Sequence, residues 1–217
     1  MINSEKQNNK VYLKGEILTE AKFSHEMYGE GFYEMEVLVK RLSGQNDILP
    51  ITISERLIES QNLKVGSTIS AIGQFRSYNK QIDNKSKLML TVFVRELVPE
   101  NFSNNSNNIV LSGFICKPPT YRTTPFNREI ADMLIAVNRA YNKSDYLPCI
   151  AWGRNARFCQ NLPTGTEVKI VGRVQSRNYE KKYEDGTVEQ KVAYEVSIAS
   201  MEIVNNEDAT EEVEESE

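Results

Sequence analysis

The sequence predicts an all-β protein made of two tandem five-stranded barrels, each with a short helix between its third and fourth strands. Two observations predict this fold class: a long internal repeat, and an alternation of apolar and polar residues. Gly15 returns as Gly113 and Leu49-Pro50 returns as Leu147-Pro148, in each case 98 residues later. The repeats of solenoid proteins are only about 20–50 residues long. A repeat of this length is the size of a small domain that can bury its own core.

The alternation marks five half-buried strands in each copy, because side chains on successive strand residues point to opposite faces. In the first copy Val11, Leu13, Gly15 and Ile17 share one face. Strands are predicted at 11–17, 35–39, 48–53, 69–75 and 88–98, and a helix at 55–60 that Ser54 caps. The second copy repeats this order with strands at 109–117, 130–139, 145–151, 167–177 and 191–204, and a helix near 155–161.

Five strands with one short helix between the third and fourth are typical of the OB-fold, although another small barrel could share the pattern. OB-folds bind oligonucleotides or oligosaccharides on their outer face and loops. The predicted domains are an N-terminal OB-fold at residues 1–100 and a C-terminal OB-fold at 109–204, joined by a polar, turn-rich linker. Residues 205–217 are predicted to be an acidic, disordered tail.

The positive charge of the chain is concentrated in the second copy. The formal net charge is −4, with 26 basic and 30 acidic residues. The segment after Val204 holds seven acids and no base, and residues 101–204 hold 13 basic and 10 acidic residues. Residues 1–100 hold 13 of each. This distribution of charge bears on which molecules the protein binds and gives no information about the fold.

Composition and motifs favour a cytoplasmic protein without catalytic activity. There is no apolar run that could span a bilayer, no signal-peptide pattern and no phosphate-cradling glycine loop. Cys116, Cys149 and Cys159 form no CxxC pair, which favours free thiols in a reducing compartment, and Cys149 is expected to be buried in a strand. His25 is the single histidine and lies in a loop-like stretch, so we expect neither a metal nor a cofactor.

The fourth strand of the second copy is the most informative segment for function. Val168, Ile170, Gly172, Val174 and Ser176 share one side and are expected to face the core. Lys169, Val171, Arg173, Gln175, Arg177 and Tyr179 share the other side. A cationic face that ends in an aromatic ring can follow a phosphate backbone while bases stack on the ring. An ordinary solvated strand face would show the same pattern.

Further aromatic residues and a loop lie near this strand in the predicted fold. Tyr141 follows the second strand, Tyr146 opens the third and Trp152 closes it. Trp152 could equally pack in the core, because large aromatic side chains contribute much of the packing energy there. Residues 180–187 form a predicted mobile hairpin loop with an Asp-Gly turn, which could close over a bound strand or simply be solvated.

The second copy resembles the bacterial single-stranded DNA-binding protein family over about residues 108–204. The resemblance lies in three runs: 134–141 (LIAVNRAY), 146–153 (YLPCIAWG) and 172–179 (GRVQSRNY). In that family, aromatic rings on the barrel surface stack on DNA bases. The resemblance implies such roles for Tyr141, Tyr146, Trp152 and Tyr179, and it adds Arg177 as a basic partner beside the last ring. With Arg173 from the strand pattern, these residues form the predicted DNA-binding site.

The first copy matches the family's framework but not its aromatic face. Ser43, Ile48, Ser54 and Lys80 stand where the second copy has its four rings, while Arg76 and Tyr78 remain on the fourth strand. We therefore expect the first copy to scaffold or dimerise and the second to bind DNA. The family's assemblies of four OB-folds imply a homodimer here. The tail lacks the family's Pro-Phe tip, so recruitment of replication or repair proteins through it is an open question.

The predicted function is non-enzymatic binding of single-stranded DNA, with little sequence preference, in replication, recombination or repair. Two alternatives remain open from the sequence. One is an OB-fold accessory protein of primosome assembly, a mobile element or a phage. The other is an adaptor whose main ligand is protein. An RNA ligand is also compatible with stacking, because a ring does not read the sugar.

Overall fold

The computed structural model describes residues 8–82 and 85–204, in which strands predominate. The predicted tail, 205–217, lies outside the described residues. Six strands and one helix form what we call the N-terminal barrel. They are β1 (Asn9–Ile17), β2 (Lys22–Met27), β3 (Glu30–Lys40), β4 (Asn46–Ser54), α1 (Glu55–Gln61), β5 (Thr68–Ile82) and β6 (Lys85–Leu97).

The C-terminal barrel repeats this order of elements. It consists of β7 (Asn107–Ile115), β8 (Thr120–Thr123), β9 (Glu129–Asn138), β10 (Ser144–Trp152), α2 (Arg154–Cys159), β11 (Glu167–Lys182) and β12 (Val188–Ile203). A single 3₁₀ turn, Ala140–Asn142, joins β9 to β10. The helices lie between the third and fourth barrel strands, as the sequence predicts.

Each barrel closes because its first strand pairs on both sides. β1 pairs with β5 and with β3, and β4 pairs with β6 in parallel. β7 pairs in the same way with β11 and β9, and β10 pairs in parallel with β12. β2 and β8 are additional short strands on the outer edges of β3 and β9. The predicted fold class, two tandem five-stranded OB-fold barrels, is therefore confirmed.

The cores follow the alternation that predicts the strands. Every second residue of β7 is buried, from Asn107 to Ile115. Phe75, Leu13 and Leu147 are among the largest fully buried side chains. Burying a side chain of this size is worth about 1.5–3 kcal/mol. Cys149 is buried as predicted, and this burial raises the pKa of its thiol far above the ordinary value.

Two glycines allow the long fourth strands to bend. The register of β5 against β6 shifts between Ile72 and Gly73, and that of β11 against β12 shifts between Val171 and Gly172. A Cβ atom at Gly73 would collide with the backbone oxygen of Phe93, and one at Gly172 with that of Ser197. This close approach of two backbones explains why glycine occupies both bends.

An approximate twofold axis relates the two barrels. β1 and β7 pair antiparallel, with Val11 opposite Ile109. These two residues are 98 positions apart, which is the repeat length, so the axis passes between them. The pairing joins both barrels into one continuous 12-stranded sheet.

Two buried aspartates hold the barrels together in a symmetric way. Asp47 accepts a hydrogen bond from the backbone N–H of Ser176 at 2.7 Å. Asp145 accepts one from the backbone N–H of Ser77, also at 2.7 Å. The two serine hydroxyls accept in turn from the backbone N–H groups of Ile48 (3.1 Å) and Tyr146 (2.8 Å). Each contact thus occurs twice, once in each direction across the junction.

The structure differs from the sequence predictions in local details. Ser54 precedes α1, but its side chain makes no capping hydrogen bond, and its buried hydroxyl has no partner among the described residues. His25 lies in strand β2, where its ring stacks on Phe32, instead of in a loop. The predicted linker is shorter, because Asn107 and Asn108 already belong to β7. Within residues 8–82 and 85–204, no helix is long and apolar enough to cross a membrane.

Candidate nucleic-acid interface

The four aromatic residues predicted for DNA binding are all exposed on the C-terminal barrel. The exposed fractions are 94% for Tyr141, 48% for Tyr146, 37% for Trp152 and 38% for Tyr179. Core packing of Trp152, the alternative that the sequence left open, is therefore wrong. We call the outer surface of β9, β10, β11 and β12 the stacking face.

Tyr146 and Trp152 mark the two ends of one strand of this face. They lie on the same side of β10, opposite Ala136 and Ile130 of β9. Six residues separate them, which corresponds to roughly 20 Å at the rise of a β-strand. The two rings can therefore contact different bases of one extended strand.

Tyr141 stands out from the hairpin between β9 and β10. Its φ of 60° and the 54° of Asn142 place both residues in the left-handed region. Non-glycine residues seldom adopt this region, and such strain often occurs at ligand-binding sites. The hairpin is closed by a 2.7 Å hydrogen bond from the N–H of Arg139 to the carbonyl of Lys143. The turn directs the Tyr141 ring into solvent.

Arg177 and Tyr179 form a cation–π pair on β11, with the guanidinium carbon 5.9 Å from the ring centroid. Arg177 also donates to Glu195 of β12, at 3.2 Å from Nε and 3.3 Å from Nη2. This bond to Glu195 raises the pKa of Arg177. Glu195 is buried and also accepts from Gln175 at 2.9 Å. The sequence analysis did not find Glu195, because it lies on β12 whereas Arg177 and Tyr179 lie on β11.

Arg173 is half-buried and has fewer partners than Arg177. Its Nη2 donates to Gln175 at 3.1 Å, while its buried Nε has no partner among the described residues. Burial, followed by the nearby charge of Arg41, lowers the pKa of Arg173. A nearby anion would stabilise this half-buried guanidinium group, but Arg173 forms no ion pair with any of the described residues.

Beyond Tyr179 the chain continues as a β-ribbon instead of the predicted loop. β11 runs to Lys182 and β12 begins at Val188, so only residues 183–187 form the turn. Lys181 and Lys191 lie over the ring of Tyr183, at 4.9 and 5.9 Å from its centroid. The ribbon also carries four acids, Glu180, Glu184, Asp185 and Glu189, and Glu189 pairs with Lys191 at 3.1 Å, so the ribbon extends the aromatic but not the cationic character of the stacking face.

The corresponding face of the N-terminal barrel is built differently. Ser54 is buried, whereas Ser43, Ile48 and Lys80 are exposed. Tyr78 donates to Glu34 at 3.2 Å, and burial together with this carboxylate raises the pKa of Tyr78 to about 12. Arg76 bonds to Asp145 of the other barrel. Arg76 and Tyr78, which remain on the fourth strand of this barrel, are therefore each bonded to a carboxylate within the protein.

The part of the chain that the structure describes contains no group of three or more His, Cys, Asp or Glu side chains arranged to hold a metal ion. The interface is built from rings, guanidinium groups and their hydrogen-bond partners.

Comparison with known proteins identifies relatives of the C-terminal barrel. Residues 106–204 match the single-strand binding protein family, which confirms the resemblance predicted from the sequence for this part of the chain. Single-stranded DNA-binding protein 1 of Staphylococcus aureus (strain COL) is 37% identical over 83 residues, covering 35% of this chain and 50% of that protein. The chain therefore spans about half the length of the curated relatives it matches.

Solved structures extend the likeness in fold to both barrels. The wild-type single-stranded DNA binding protein from Thermus aquaticus has a TM-score of 0.71 at 18% identity, covering 91% of this chain and 93% of that chain. This likeness shows the fold. The dimeric N-terminal domain of PriB protein from Thermoanaerobacter tencongensis is 49% identical and covers 43% of this chain and 100% of that chain. Its TM-score is 0.37.

Proposed function

We propose that this chain acts as a single-stranded DNA-binding protein of the family that residues 106–204 match. The observation that carries the proposal is the exposure of four aromatic rings on one barrel face. Binding is non-enzymatic and has little sequence preference, because every base offers a π-surface to a ring. The protein would cover exposed strands in DNA replication, recombination or repair.

The proposed site combines stacking with phosphate contacts. Tyr141, Tyr146, Trp152 and Tyr179 stack on bases, each contributing about 1–3 kcal/mol. Arg173 and Arg177 contact the phosphate backbone. Glu195 fixes the orientation of Arg177 and offsets part of its charge. Stacking therefore contributes most of the binding energy, and phosphate contacts set its salt dependence.

We propose a division of labour between domains at residues 1–100 and 109–204. The N-terminal domain serves as a scaffold, because Tyr78 and Arg76 are occupied by Glu34 and Asp145. Two copies of the chain would assemble as a homodimer with four barrels, in the cytoplasm on nucleoid DNA. Sedimentation as a monomer at micromolar concentration would contradict this assembly. Recruitment of replication or repair proteins by the acidic tail remains a proposal from the sequence alone.

Titration of the single tryptophan tests the proposed function, because Trp152 lies on the stacking face. We expect oligo(dT) to quench its fluorescence strongly and duplex DNA of equal length to leave it nearly unchanged. The logarithm of the affinity should fall with the logarithm of salt concentration by about 0.7 per phosphate neutralised. Oligo(rU) reports whether the site distinguishes the sugar. No response to any of the three would favour an adaptor whose ligand is protein.

A further inference from the structure

A cleft of about 890 Å³ opens between the two barrels, next to the stacking face. The N-terminal barrel contributes the hairpin between β3 and β4, and the C-terminal barrel contributes β11 and the end of β10. The lining residues that matter here are Arg41, Gln45 and Asn46 from the first barrel, with Arg128, Trp152, Arg173 and Arg177 from the second.

The cleft has an excess of positive charge. Four arginines line it, and two acids lie within ion-pair distance of them: Asp47 with Arg41, and Glu195 with Arg177. Arg128 and Arg173 form no ion pair with a described residue. The buried Nε of Arg173 adds an unused hydrogen-bond donor at this site.

Arg41 reaches across the junction between the barrels. Its Nη2 donates to Asp47 at 2.5 Å and to the carbonyl of Ser176 at 3.3 Å, its Nε donates to Asp47 at 2.6 Å, and its Nη1 donates to Gln45 at 3.2 Å. Its charge therefore lies close to Arg173, and the two like charges repel each other. Asp47 pairs with Arg41 and also attracts Arg173, so a single carboxylate offsets the charge of two guanidinium groups only in part.

We infer that this cleft binds a phosphate of single-stranded DNA, so that the strand passes from Trp152 onto the β3–β4 hairpin of the N-terminal barrel. Arg128 and Arg173 suit this ligand, because neither forms an ion pair with a described residue and the planar donors of a guanidinium group match phosphate oxygens in a bidentate way. Trp152 lies in the same cleft and can stack on a base next to that phosphate. The inference rests on the proposed function and adds Arg41 and Arg128 to its site. The N-terminal barrel thus contributes the polar side chains of its hairpin where it lacks rings.

Replacing Arg41 with glutamine tests the inference in the full-length chain. R41Q leaves the carboxylate of Asp47 unneutralised beside the cleft, so we expect it to lower the salt slope by about 0.7, the value of one phosphate contact on a single strand. The same slope corresponds to roughly fivefold weaker oligo(dT) binding at 0.1 M salt, with the difference vanishing near 1 M. The matched control is R56Q, which removes the same charge from exposed helix α1, outside the cleft. R56Q should bind like the wild type.

Substitutions at Asn46 provide a second test that leaves the Arg41–Asp47 pair intact, because Asn46 lines the cleft and is exposed. N46K should tighten oligo(dT) binding and N46D should weaken it, each by several-fold at low salt. These variants decide the question if R41Q unfolds, which thermal unfolding would reveal. Inorganic phosphate at matched ionic strength should leave Trp152 emission unchanged, because the site needs a strand.

The outcomes separate this inference from the proposed function. If the wild type does not bind oligo(dT), the proposed function falls and this inference falls with it. If the wild type binds while R41Q, N46K and N46D all match it, the cleft is not on the DNA path and the function stands. A Trp152 response to inorganic phosphate that R41Q abolishes, without any change in DNA binding, would assign the cleft to free phosphate and overturn the inference.

Discussion

Replacing both Tyr146 and Trp152 with alanine should weaken oligo(dT) binding by about 2–6 kcal/mol, which is at least about 30-fold. Each ring is expected to contribute about 1–3 kcal/mol when it stacks on a base. The two positions lie roughly 20 Å apart along β10, so their effects should add. Fluorescence anisotropy of a labelled oligonucleotide measures the change without depending on the tryptophan that is removed.

The matched control for this double variant is Tyr28→Ala. Tyr28 is fully exposed in the turn between β2 and β3 of the N-terminal barrel, outside the stacking face. Its removal should leave binding unchanged. A double variant that keeps the wild-type circular dichroism spectrum and binds within threefold of the wild type would show that these rings do not carry the affinity.

Replacing Asp145 with alanine should lower the free energy of unfolding by about 3–5 kcal/mol, because it removes a fully buried carboxylate on which two arginines and a backbone N–H depend. The Asp145 side chain is fully buried and forms ion pairs with Arg76 (3.4 Å) and Arg139 (3.5 Å). It also accepts the N–H of Ser77 across the junction. Neither arginine has another ion pair within the residues that the structure describes. Urea denaturation followed by circular dichroism measures the loss.

The control for Asp145→Ala is Glu100→Ala, which breaks an exposed ion pair between Glu100 and Lys14. Exposed pairs of this kind contribute about 0–1 kcal/mol. Asp47→Ala should resemble Asp145→Ala, because the same junction contact occurs on both sides of the twofold axis. If Asp145→Ala cost less than about 1 kcal/mol, the buried aspartates would not be what holds the barrels together.

Alternation in the sequence was sufficient to find the barrel strands but not their extensions. β7 has one face in the core, so its apolar residues recur at every second position. β2 is exposed along most of its length and shows no such alternation. β5 and β11 continue past the barrel into ribbons whose residues are solvated on both faces. Where no side is buried, the pattern that marks a strand is missing.

The rings of the candidate site were accessible to prediction, whereas their charged neighbours were not. Tyr146 and Trp152 share a parity on one strand, which fixes their common side. Glu195 meets Arg177 only through the register of β11 with β12, and a single strand does not encode that register. The sequence did contain one indication of the residues at the junction between the barrels. In the internal repeat, Arg41 is equivalent to Arg139 and Asp47 is equivalent to Asp145, because each pair is 98 residues apart.

The most direct test compares oligo(dT) with an abasic oligonucleotide of the same length and charge, using Trp152 fluorescence of the wild-type protein. If bases stack on the rings, only oligo(dT) should quench the emission, and the abasic strand should bind at least about 100-fold more weakly, since several contacts worth about 1–3 kcal/mol each are lost. Equal affinity and equal quenching for the two strands would show that phosphates alone are recognised and would contradict the stacking mechanism.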